Sequence, residues 1–484
     1  MRPNLQQWIR VVSATLIATV CLLVAARSIR GQSTDAQTQP PEVQQLKDRV
    51  KQLEQTVQEL KVQINAIEET KDPPPNAATG EPVAAASAPV AATADPNAIA
   101  EPSKAATHKT DGSTFEVYGF AMLDMGYQFK SNHPDWFDVI RPTKLPSFKG
   151  EFDPDGKTYF GVRQTRLGVR SSTPTKYGEL KTLFEFELFG TGVDAGQTTF
   201  RLRHAYGELG QFGAGQTWSP FMDIDVFPNS LEYWGPTGMV FFRNVQARWM
   251  PIKGRSRVTI ALERPGASAD QGNYADRIEL QGIKPKFAWP DLSWEARYGR
   301  DWGYVEVAGI FRSLRWVDTN NDALDLGGSD LGWGLNLSSN LNFTPNDIGR
   351  FQLVYGEGIQ NYMNDAPVDV GVETNPGDPR KPIKGKALPV LGLVAFLDHN
   401  WNKRFSTSVG YSLENIWNSN AQAPSAFRRG HYGLANLLFY PADRVMVGGE
   451  FQWGRRENFS DGFGVNDFRM QFSFRYNFSK IWEF

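Results

Sequence analysis

From Thr114 to the last residue, the chain alternates apolar and polar positions with a period of two. The final segment is the clearest. Phe468, Met470, Phe472, Phe474, Tyr476 and Phe478 are separated by Arg469, Gln471, Ser473, Arg475 and Asn477, and the phase continues through Trp482 to Phe484. That period places all the large apolar groups on one face of a strand and all the polar groups on the other. Shorter stretches repeat it: Val258, Ile260, Leu262; Leu292, Trp294, Ala296, Tyr298; Leu331, Trp333, Leu335, Leu337; Phe405, Thr407, Val409, Tyr411, Leu413; and Val445, Val447, Phe451, Trp453. About 16 such segments fit between residues 114 and 484, the size at which a closed barrel leaves an aqueous channel. The pattern predicts an all-β protein, a transmembrane antiparallel β-barrel over 113–484. Pro174 to Gly178 reads as a short periplasmic turn, and 130–157, 266–287 and 360–386 as long external loops.

Ahead of the barrel the period changes. Val43, Leu46, Val50, Leu53, Val57, Leu60, Ile64 and Ile67 are alternately three and four residues apart. This heptad pattern predicts a short self-associating coiled-coil helix over 42–71. Its valines and leucines favour two strands and its isoleucines three, so the residues leave the number open. An amphipathic helix lying on another surface is the bland alternative. Residues 72–112, rich in Ala, Pro, Thr and Ser, have no hydrophobic period and read as a linker. At the start, Arg2 and Arg10 precede an apolar run from Val11 to Ala26, followed by Arg27 and Arg30. That is a secretory signal over 1–31, too short for a comfortable membrane span. Cleavage after Ser28 or Gly31 removes Cys21, so the mature chain has neither a disulfide nor a cysteine metal site. The coiled coil is then expected in the periplasm.

Composition supports a barrel over a helical membrane protein. Charged residues are 21%, yet there are 32 Phe, 15 Tyr and 14 Trp, as expected where only alternate residues meet lipid and aromatics gather at the interfaces. The net charge of -2 becomes -6 without the four leader arginines, and no basic excess points to nucleic acid. Five histidines, His108, His133, His204, His399 and His431, show no metal spacing and no Ser/His/Asp pattern. No cofactor, metal or catalytic residue is expected. A barrel hydrolase would need His204 or His431 to find partners that the sequence does not show.

The arginines change the picture. Arg166 and Arg170 share one phase, Arg201 and Arg203 share another, and Arg248 follows Asn244 and Gln246. Arginine facing lipid costs roughly 2–4 kcal/mol at the bilayer midplane, so these side chains are expected in the lumen. There they favour anions and carboxylates. Arg163 and Arg243 do not fit the inward phase. After Trp218 comes a long segment with Phe221, Asp223 and Asp225 that ends near Gly238. It is expected to fold into the barrel as a constriction loop, or else to lie outside as an ordinary loop. Asp223 and Asp225 would also be natural neutralisers of the arginines, in which case the arginines are only a wall network.

Particular strings go further. The runs Arg201 to Glu208, Gly215 to Asp223, Gly235 to Gly238 and Phe242 to Gln246, in the order signal, heptad helix, linker and barrel, resemble the DcaP-like porins over essentially the whole chain. The resemblance implies a homotrimer of 16-stranded barrels in the Gram-negative outer membrane. It also implies passive diffusion of small anions, with dicarboxylic acids as type substrates. A C-terminal aromatic, here Phe484, resembles the signal read by the outer-membrane assembly machinery. A sugar- or phosphate-type porin, or a tether between outer membrane and cell wall, remains an alternative.

Overall fold

The structure, a computed structural model, describes residues 112–484 except 276 and 279–281. The expected signal, coiled coil and linker lie outside the described residues. Among these, sixteen antiparallel strands form one closed sheet. They are β1 (Thr114–Gln128), β2 (Lys157–Gly161 resuming as Arg166–Thr175), β3 (Gly178–Phe189), β4 (Thr198–Leu209), β5 (Phe212–Trp218), β6 (Arg243–Ile252), β7 (Arg257–Glu263) and β8 (Ile283–Pro285 resuming as Asp291–Arg300). The second half is β9 (Gly303–Asp318), β10 (Gly328–Thr344), β11 (Asp347–Glu357), β12 (Pro389–Asn402), β13 (Phe405–Ile416), β14 (Phe427–Ala442), β15 (Val445–Asn458) and β16 (Gly464–Glu483). Closure is made by β1 against β16, from Thr114 opposite Glu483 to Gln128 opposite Arg469.

The alternation is realised as side. Along β16, Phe472 and Phe474 are 50% and 45% exposed on the outer wall, while Arg469, Gln471 and Arg475 are buried inside. A slip of one residue would turn every arginine of the strand towards lipid, so the register is strongly specified. One end of the barrel carries tight turns: 176–177 between β2 and β3, 210–211 between β4 and β5, and 301–302 between β8 and β9. The other end carries the long loops. In such barrels the short turns are periplasmic and the long loops external. The external loop between β11 and β12 holds a small hairpin of its own, Val370–Thr374 against Ile383–Ala387, which the alternation did not announce.

Candidate functional site

The loop 219–242, between β5 and β6, folds into the barrel. Prolines at 220, 228 and 236 deny it a continuous ladder, and nearly every residue in it is buried. At Gly235, φ is +83° and the Phe227 ring stands where a side chain would begin. At Gly238 the loop backbone lies against Leu413 and Leu393 of the wall. Phe221, Val226, Phe227, Met239 and Val240 pack with Ala308, Ile310, Val354, Val390 and Val394. The β9–β12 side of the lumen is therefore sealed by apolar contact.

Polar anchors fix the rest. The Asp223 carboxylate accepts from Arg297 Nη2 at 2.5 Å, the Tyr304 hydroxyl at 2.7 Å and Ser338 Oγ at 2.6 Å. Asp225 also pairs with Arg297, and its carbonyl accepts from Asn340 Nδ2 at 2.6 Å. Further on, the Leu231 and Glu232 N–H groups donate to Glu450 at 2.7 and 3.1 Å, and the Leu231 carbonyl accepts from Gln164 and Gln471 at 2.9 and 3.1 Å. Thr237 N–H donates to Ser412 Oγ at 3.0 Å. Burial pushes the Glu232 carboxyl up to about 8; Glu450 beside it adds to the rise, while the Gly235 and Ile140 N–H groups and Arg469 oppose it.

Opposite the apolar seal lies a cluster of arginines. Arg203, buried, reaches Glu185 and Glu187 at 2.6 Å each. Arg166 lies 3.6 Å from both, Arg201 3.5 Å from Glu187 and Arg243 3.7 Å from Glu187. The Tyr118 hydroxyl donates to Glu185 at 2.7 Å and the Tyr233 hydroxyl to Glu187. Among the described residues, these four guanidinium groups thus meet two carboxylates, two positive charges more than negative. Arg201 keeps 30% of its side chain exposed. A β-bulge in β4 permits the cluster: Glu185 faces His204 but Phe186 faces Leu202, so Arg203 is the inserted residue. Its carbonyl and that of Leu202 are met by Gln216 Nε2 at 3.2 and 3.3 Å.

The other expected site residues are placed apart. Arg170 is paired with Glu116 at 2.5 Å. Arg248 donates to Gln246 Oε1 at 3.1 Å and to the Trp218 carbonyl, and among the described residues no carboxylate pairs with it. Asn244 Nδ2 holds the Arg264 carbonyl at 2.8 Å, and Gln246 Nε2 the Trp218 carbonyl at 3.0 Å. Trp218 is buried between His204 and Arg243. Asp223 and Asp225 meet Arg297, not the early arginines. Sequence reasoning passed over Glu185 and Glu187, although Phe184-Glu185-Phe186-Glu187 carries the same alternation. It also set Arg163 and Arg243 aside. Arg163 lies in the break of β2 and pairs with Asp138 at 2.5 Å; Arg243 lies at the very start of β6. The phase rule has no hold at either place.

A profile of the family described as DcaP outer membrane protein matches residues 110–478. Among solved structures, the outer membrane channel DcaP of Acinetobacter baumannii is similar at 17% identity and a TM-score of 0.63, covering 76% of this chain and 98% of that one. The anion-selective porin from Comamonas acidovorans is similar at 11% identity and a TM-score of 0.50, covering 76% of this chain and all of that one, 100%. No curated protein shows a significant match. An apolar outer wall, a polar lumen and an inward loop make this barrel a channel of the Gram-negative outer membrane. With the profile spanning nearly the whole barrel, the chain belongs to the DcaP outer membrane protein family.

Proposed function

We propose that the channel passes small hydrophilic anions, with dicarboxylates as the favoured class, along the wall formed by β2–β6. The observation that carries this reading is the surplus of two positive charges where Arg166, Arg201, Arg203 and Arg243 meet Glu185 and Glu187. Arg203, enclosed by its two carboxylates, acts as scaffold. Arg201, part-exposed, and Arg248, unpaired by any described carboxylate, are the groups that solutes meet. Fixed guanidinium groups raise the local anion concentration and offer paired donors to a carboxylate. Arg170, Asn244 and Gln246 line or brace the same wall, and Trp218, Phe221, Asp223 and Asp225 hold the loop that narrows it. We further propose a homotrimer, with the helices of 42–71 as a periplasmic bundle and Phe484 as the assembly signal.

Reversal potential in a planar bilayer with a KCl gradient tests the reading. The wild type shifts towards the chloride potential, and succinate reduces the chloride current. Changing Arg201→Ala and Arg248→Ala together lowers the chloride preference by about twofold or more, as removal of two screened charges near the path requires. A cation-selective wild type refutes the proposal.

A further inference from the structure

The outer wall of the barrel is apolar along most of its height, but one patch at the loop end of β13–β16 is not. Register fixes its side. Tyr411 faces Gly433, Gly433 faces Trp453 and Trp453 faces Phe468, an outward row that meets lipid. One step nearer the loops, in the same phase, Leu413 faces His431 and His431 faces Arg455; one step further, Asn415 faces Arg429 and Arg429 faces Glu457. Arg429, His431, Arg455 and Glu457 therefore project outwards, beyond the lumen. Arg428 is the extra residue of a bulge between Phe427 and Arg429, and it is exposed.

Glu457 organises the patch. It lies 2.9 Å from Arg455, 3.6 Å from Arg429 and 3.8 Å from His431. Asn415 Oδ1 accepts from Arg429 Nε at 2.9 Å, and the Tyr411 hydroxyl lies 2.6 Å from His431 Nδ1. Arg429 and Arg455 remain 36% and 35% exposed. Arg429 and Arg455 share the one carboxylate, and the exposed Arg428, next in the chain, adds a third positive charge, a surplus of two with histidine counted as neutral. Immediately below, Tyr411 stacks on Trp453 at 6.5 Å and Phe451 on Phe468 at 6.1 Å. Aromatic rows of this kind mark the depth of the lipid headgroups.

We infer that Arg428, Arg429 and Arg455 form a binding site for the phosphate of a glycolipid in the outer leaflet. The patch stands at headgroup height on the outside of the barrel, so a solute in the lumen never meets it. Guanidinium pairs suit phosphate oxygens, and the acyl chains of such a lipid would lie along Val409, Phe451 and Phe468 beneath. The inference is independent of the anion preference proposed for the lumen.

Native mass spectrometry of the full-length protein in detergent tests it, with diphosphorylated lipid A and its dephosphorylated form as probes. The wild type retains the phosphorylated lipid. The triple variant Arg428→Ala, Arg429→Ala, Arg455→Ala binds it at least about tenfold more weakly, since charge-assisted contacts to phosphate carry the affinity. Both proteins bind the dephosphorylated lipid alike. Arg428→Ala alone, which breaks no ion pair among the described residues, weakens binding by a few-fold and serves if the triple variant fails to fold. Equal binding of both lipids by wild type and variants overturns the inference. So does displacement of lipid by millimolar inorganic phosphate, which would mark a free-phosphate site. So does dissociation of the oligomer in the variants, which would make the patch a subunit contact.

Discussion

Glu187→Gln is the change with the most to tell. Glu187 is buried and lies within 2.6, 3.5, 3.6 and 3.7 Å of Arg203, Arg201, Arg166 and Arg243. Breaking one partner of a buried ion pair typically costs about 3–5 kcal/mol, because the remaining charge is stranded. The amide keeps the Tyr233 hydroxyl as a donor, which places the loss near the lower figure, about 3 kcal/mol. Selectivity moves the other way. The surplus rises from two charges to three. A unit charge about 8 Å from a passing ion is worth about 0.5 kcal/mol in a water-like medium, and 0.1 M salt screens that to about half. An anion gains and a cation loses the same amount, so the permeability ratio rises about twofold. Urea unfolding followed by tryptophan fluorescence reads the first effect, and reversal potential in a salt gradient the second. A variant as stable as the wild type with an unchanged reversal potential would show that the cluster neither carries its own charge nor projects it into the pore.

Two further changes address the loop. Asp223→Asn removes the charge that faces Arg297 and one of the two carboxylate oxygens that accept from Arg297, Tyr304 and Ser338, while Arg297 keeps Glu306 at 2.5 Å. Destabilisation of about 3 kcal/mol is expected to fall on the loop seat, with larger and noisier single-channel current; a quiet channel of unchanged conductance argues against this anchor. Glu232, among Glu450, Tyr432 and Arg469, stays protonated in the fold up to about 8 but ionises near 4.5 when unfolded. Its contribution to stability is present at low pH, is lost as pH rises between those values and stays lost above them. Current noise should therefore climb as pH rises from about 4.5 towards about 8 and level off above it, and Glu232→Gln should be flat over that window.

The strands were legible because lipid and water impose opposite demands on successive residues, as β16 shows from Phe468 to Phe478. Where that demand lapses, the reading failed. The interruption of β2 at 162–165 holds Arg163, and the start of β6 holds Arg243; both are buried, and neither obeys the period. The bulge at Arg203 turns that residue and His204 to the same side, an arrangement that no period-two count contains. The inward loop was legible from its length, its prolines and its mixture of acids with large apolar groups. Its partners were not, because pairing across a lumen joins residues far apart in the chain, such as Asp223 with Arg297. Arginine phase pointed to the wall but not to Glu185 and Glu187, which decide how much charge that wall retains.

The seat of Leu231 and Glu232 is built from Glu450 and Gln471, on the last two strands of the chain. Without that hairpin, the Leu231 and Glu232 N–H groups lose their acceptor and the Leu231 carbonyl keeps only Gln164. The seam between β1 and β16 and the seat of the loop thus draw on the same hairpin. A chain cut short before β15 would leave a sheet open at its edge and a passage of undefined width. Because the same hairpin closes the wall and seats the loop, a barrel that has not closed has no settled constriction.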